Sequence, residues 1–125
     1  MTDEDKKTLY ADPDGLLTYE YIANHIGADD LDVEWLADNM IHVDANGQFT
    51  GSAARYLHAI DANGFADVIN KLVAATIDKD REHRYLQALI QGLWGEDYAS
   101  HADELSAQSD NFRRIYKRLH PTSVL

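Results

Sequence analysis

Histidine and carboxylate side chains are the groups in this chain best suited to chemistry, and their spacing gives them little to do together. The six histidines, His25, His42, His58, His83, His101 and His120, include no two that are three or four residues apart. Asp80 with His83, and Asp97 with His101 and Glu104, have the spacing of side chains on one helical face. A di-metal bundle needs several such ligand sets projecting from different helices. Isolated sets of this kind predict surface ion pairing and no metal site. The absence of cysteine excludes disulfides, thiolate metal ligands and a cysteine nucleophile. There is no Gly-x-Ser-x-Gly elbow, and no Gly-Lys pair for a phosphate loop. A His–Asp acid–base pair could assemble through space, but the sequence singles out none. The chain therefore reads as a protein without catalytic activity and without a cofactor; a metal-dependent enzyme is the weakest alternative.

The tetrad Asp-Ala-Asn-Gly occurs at residues 44–47 and again at 61–64. A calcium loop of the EF-hand type takes oxygen ligands at its first, third and fifth positions, glycine at the sixth and glutamate at the twelfth. Counted from Asp44, the sixth and twelfth positions are Phe49 and Arg55; from Asp61 they are Ala66 and Leu72; from Asp12 they are Leu17 and Ala23. All three registers fail, so these segments are expected to be turns.

Charge is the most uneven property of the chain. The net charge is −11, from 22 acidic and 11 basic residues. Residues 1–68 carry 14 acids and 3 bases, whereas residues 69–125 carry 8 of each. A field of this sign repels nucleic-acid backbones and anionic lipid and attracts basic partners; a plain gain in solubility accounts for it equally.

The elements that must position these residues follow from periodicity and turn chemistry. With 125 residues, 45% apolar and 26% charged, one folded domain is expected. Residues 1–8 are read as a flexible tail, 9–120 as one helical domain with an acidic part (9–60) and a second helical part (61–120), and 121–125 as a C-terminal tail. Thr18 can cap a helix with Tyr19, Ile22, Ala23 and Ile26 on one face, stopped by Gly27. Asp29 or Asp30 can cap a second helix, Leu31 to Met40. Asn46-Gly47, within an alternating run, predicts at most one small β-hairpin near residues 41–50. Ser52 can cap a third helix to Ile60. Phe65, Val68, Ile69, Leu72, Val73 and Thr76 form a helical stripe. Leu86, Leu89, Ile90, Leu93 and Trp94 form another, in the same helix or in one capped by Asp78. A shorter helix near residues 98–107 and a last one from Asn111 to Leu119, ended by Pro121, complete an all-α single domain of about six helices. The polar N-terminus and the lack of any apolar run near the roughly 18 residues of a membrane span point to a cytoplasmic protein that does not enter the membrane.

Ala23, Gly27, Val33 and Leu36 give residues 19–38 a resemblance to the helix-turn-helix of bacterial regulators, and the turn at Asn46-Gly47 sits where a winged-helix protein has its wing. The resemblance implies that the second helix would lie in the major groove of DNA. Its outward residues, however, are Asp29, Asp30, Glu34, Trp35 and Asp38, with Asp32 beside them and no lysine or arginine between Lys7 and Arg55. Such a helix should not read DNA. It is expected to present an acidic surface to a protein with a basic surface, with Leu31 and Trp35 as apolar anchors inside the carboxylates Asp29, Asp30, Glu34 and Asp38; the alternative for Trp35 is burial under a later element. A second, basic patch is formed by Arg113, Arg114, Lys117 and Arg118 on the last helix, which is also an ordinary charge distribution for a helix C-terminus. It could pair with the acidic half, within one molecule or between two copies. Two further readings are a DNA mimic that blocks a nucleic-acid-binding protein, and a regulator that binds DNA through that basic helix.

Overall fold

The computed structural model describes residues 1–121, and these are helical throughout, without a strand. Eight α-helices follow one another: α1 Asp3–Tyr10, α2 Leu16–His25, α3 Val33–Val43, α4 Gln48–Asp61, α5 Ala66–Lys79, α6 Leu86–Trp94, α7 Ala102–Gln108 and α8 Asp110–Leu119, with a 3-10 turn at Tyr98–His101 ahead of α7. None is long and apolar enough to cross a membrane.

The all-helical class and the single apolar core match the sequence; the number and limits of the elements differ. Residues 1–8, expected as a flexible tail, contribute most of α1, which runs Asp3–Tyr10. Thr2 and Asp5 build a capping box there, each side chain accepting the other's backbone N–H, and Leu9 enters the core. The hairpin expected near residues 41–50 does not form. Residues 41–43 close α3, and Asn46-Gly47 joins two helices. A type I′ hairpin turn needs positive φ at both central residues. Here Gly47 has φ +90°, and among the described residues His83 is the sole non-glycine with positive φ, so Asn46 stays in the ordinary region. The stripes at 65–76 and 86–94 are two helices, α5 and α6, divided by a turn at Asp80. Residues 122–125 of the expected C-terminal tail lie outside the described residues.

At the centre lie α4 and α5. Gly51, Ala53 and Ala54 keep one face of α4 nearly flat; a Cβ on Gly51 would stand 3.4 Å from the Thr76 methyl of α5. Val68, Ile69, Leu72, Val73 and Ile77 of α5 fill the space beside this face. Ile22, Leu36 and Met40 close the core from the N-terminal side, and Leu89, Ile90, Phe112 and Ile115 from the other. Each of these side chains stabilises the fold by roughly 1.5–3 kcal/mol through removal from water.

Three turns carry a buried aspartate that organises the next helix. Asp12 accepts hydrogen bonds from the backbone N–H groups of Asp14, Gly15 and Thr18 and from the Thr18 hydroxyl. Asp44 accepts from the N–H groups of Asn46, Gly47, Phe49 and Thr50. Asp80 accepts from those of Arg84, Tyr85 and Leu86. The Thr18, Phe49, Thr50 and Leu86 groups are donors that a helix start leaves without an intrahelical partner, and the others belong to the turns themselves. The first two turns share the pattern Asp-x-Asx-Gly-x-x-Thr, at residues 12–18 and 44–50. Each also leans on the next odd-numbered helix. Thr18 accepts from Asn39 of α3 at 3.0 Å, and Thr50 pairs with Thr76 of α5 at 2.8 Å.

A candidate interaction surface

The acidic stretch of residues 29–38 begins in the connection between α2 and α3 and continues along the outer side of α3. Gly27, with φ +91°, turns the chain out of α2, and Asp32 caps α3 by accepting from the Trp35 N–H at 3.0 Å. Leu31 and Asp30 thus precede the helix. The carboxylates all face solvent: the Asp30 side chain is 80% exposed, Glu34 60% and Asp38 63%, and Asp29 is exposed as well.

Cations of the same chain stand over much of this surface. Lys71 of α5 bridges Glu34 at 2.9 Å and Asp38 at 2.8 Å, and its amine is pushed up to about 12 by the hydrogen bonds it donates to Asp38 and Glu34. The amino group of Met1 sits 2.9 Å from Asp30, and its hydrogen bond holds that carboxyl below the usual range. Lys6 lies 3.7 Å from Asp32 and 5.4 Å from the centre of the Trp35 ring. Asp29 forms none of these pairs. Leu31 and Trp35, expected as free apolar anchors, are half-buried and packed against the core. For Trp35 the α1 helix contributes: it sets Lys6 over the indole.

Of the basic patch on α8, Arg114 pairs with Asp78 of α5 at 2.9 Å, Arg113 pairs with Asp110, and Arg118 donates to the Arg114 carbonyl at 3.0 Å. Lys117 points to solvent. Phe112 and Ile115 are buried, so this helix shows its charged side outward while its apolar side closes the core. The patch is not joined to the residue 29–38 surface by any ion pair among the described residues.

His101 lies 3.3 Å from Asp97, while Glu104 interacts with Gln108 at 3.5 Å. Among the described residues no group of three His, Cys, Asp or Glu side chains is placed to hold an ion. A groove of about 560 Å³ opens between the α4–α5 connection and α6–α8, with His58, Ile69, Trp94 and Leu105 in its walls.

Sequence reasoning missed the cations Lys6 and Lys71 and the buried aspartates. The repeated Asp-x-Asx-Gly-x-x-Thr was the signal for two of those aspartates; nothing local marks Lys71 as the partner of α3. The chain is thus an all-helical domain with one acidic, partly cation-covered surface. No protein-family model, curated protein or solved structure matches it.

Proposed function

We propose that the chain is a non-catalytic interaction module that meets the basic surface of a protein partner through Asp29, Asp30, Glu34 and Asp38, with the exposed edges of Leu31 and Trp35 adding apolar contact. The observation that carries this reading is that Glu34 and Asp38 remain more than half exposed even while Lys71 bridges them. Exposed pairs of this type contribute little to stability, so a partner's arginine or lysine can replace Lys71 at small cost. An arginine can likewise take the place of Lys6 over Trp35. Charge of this kind speeds encounter and selects among partners more than it raises affinity.

The test is capture from nuclease-treated native extract, comparing wild type with Asp29→Asn/Glu34→Gln/Asp38→Asn. These changes touch no buried atom, so circular dichroism should be unchanged. The expected result is a partner retained by wild type and lost by the variant, with an association rate that falls steeply with salt. Equal recovery by the two proteins would overturn the reading. A nucleic-acid-binding partner would turn it towards mimicry of DNA.

A further inference from the structure

A second cavity, of about 260 Å³, lies between the turn at Asp44 and the turn at Asp80. Its walls are Asn46 from one turn and Lys79, Asp80, Arg81, Glu82, Arg84 and Tyr85 from the other. Three cations around one hollow are unexpected in a chain of net charge −11.

The two acids in the wall are already engaged. Asp80 is 2% exposed, and its oxygens accept three backbone N–H groups. Glu82 pairs with Arg84 at 2.6 Å. Of the cations, Lys79 donates to the Asp44 carbonyl at 2.6 Å, which holds its ammonium beside the second turn and leaves it two further protons to donate. Arg81 is exposed and has no acidic partner among the described residues. The Asn46 side-chain oxygen accepts from the Gln48 N–H, so its amide protons remain for another acceptor. The N–H groups at the start of α6 are used by Asp80, so recognition here falls to side chains. The turn is also held in an unfavourable shape: His83 has φ +56°, a conformation that costs a non-glycine residue energy and that gathers at ligand clamps.

We propose that this cavity binds a phosphate-class oxyanion, with Arg81 and Lys79 supplying charge and Asn46 and Tyr85 supplying neutral hydrogen bonds. Donors on two facing turns suit an anion with oxygens in several directions, and charge-assisted bonds from guanidinium and ammonium are the strong ones. The hollow has room for a small organic group beside the anion, so free phosphate and a phosphomonoester are both candidates of the same chemistry. This site is independent of the interaction surface proposed above.

The experiment is a titration of the intact protein with inorganic phosphate, and separately with glycerol 3-phosphate, followed by the backbone amide resonances. Sodium chloride holds the ionic strength constant. Saturable shifts confined to Asn46 and residues 79–85 are expected. They should weaken about tenfold in Arg81→Gln, the loss expected for one charge-assisted bond, and stay unchanged in Lys117→Gln on α8. Tighter binding of the ester would assign the organic group to the cavity; equal binding would identify phosphate itself as the ligand. Shifts that do not saturate, or that are identical in Arg81→Gln, would overturn the proposal. Arg81 is exposed, and its side chain makes no hydrogen bond within the described residues, so the variant should fold as wild type does.

Discussion

The first two aspartate turns and the third solve one problem with different parts. In residues 12–18 and 44–50, an Asx at the third position and a glycine at the fourth let the chain reverse within a short span. Gly15 and Gly47 take φ of +109° and +90°. The third turn keeps the aspartate but lacks the glycine; the positive φ falls instead on His83, while Asp80 still reaches the N–H six residues on, at Leu86, as Asp12 reaches Thr18 and Asp44 reaches Thr50. The essential part is therefore the buried carboxylate that collects amide protons. The glycine serves compactness, because at Gly15 and Gly47 the next odd-numbered helix lies directly against the turn. A Cβ on Gly15 would come within 3.1 Å of Met40 and Phe49, and one on Gly47 within 3.2 Å of Asp80. The second and third turns face each other, in close approach at Gly47 and Asp80 and with the small cavity beside Asn46 and Tyr85.

This comparison can be broken most directly at the carboxylates. Asp44→Ala leaves four buried or half-buried N–H groups without an acceptor and should destabilise by about 3–4 kcal/mol, read from the urea midpoint. Asp80→Ala, with three donors released, should cost somewhat less. Equal and small losses would mean that the aspartates are passengers. Next come the glycines. Gly47→Ala, which combines an unfavourable φ with a close approach to the Asp80 Cβ, should cost about 2 kcal/mol. His83→Gly should have the opposite sign and stabilise by about 0.5 kcal/mol, since it relieves φ +56° at some entropic cost. A loss of stability in His83→Gly would show that its side chain matters more than its backbone.

Acid titration sharpens the comparison further. Burial raises the Asp12 carboxyl, but the hydrogen bonds from Thr18, Gly15 and Asp14 outweigh it and hold the group below its usual 3.8. A folded-state value below the unfolded one means stability that is present above the ordinary carboxylate range and lost as pH falls through the folded value. The stability difference between wild type and Asp12→Asn should therefore be constant from neutral pH down to about pH 5 and shrink below it. The smallest effect is expected at the outer bridge. Lys71→Met should change stability by less than about 1 kcal/mol, because both carboxylates it meets are well exposed.

How far the fold could be read from the sequence varied with the range of the signal. The core stripes of α5 and α6 were legible because Val68, Ile69, Leu72, Val73, Leu86, Leu89 and Ile90 repeat at helical spacing. The element limits are not, since Asp-x-Asx-Gly-x-x-Thr reads locally as separate turn and cap signals. Thr18 has the local signature of an N-cap, yet it sits inside α2, buried, with its hydroxyl donating to Asp12. Asn46-Gly47 is a strong local hairpin signal, but tertiary packing against Thr76 and Asp80 favours a helix connection there. The acidic residues of the candidate surface could be listed from sequence. Their partners could not, because Lys71 reaches Glu34 and Asp38 only once α5 lies beside α3.

The buried aspartates also predict where the backbone opens. Amides in loops normally exchange their hydrogen with solvent quickly, but those of Gly15, Thr18, Gly47, Thr50 and Leu86 are held by carboxylates inside the protein. Their exchange should wait for unfolding of the helices on both sides. The α2–α3 connection lacks such a clasp: a Cβ on Gly27 would meet nothing within 4 Å, and Ala28, Asp29 and Asp30 are exposed. A protease acting on the native protein should cut there first, at the edge of the acidic surface, and leave the three aspartate turns whole.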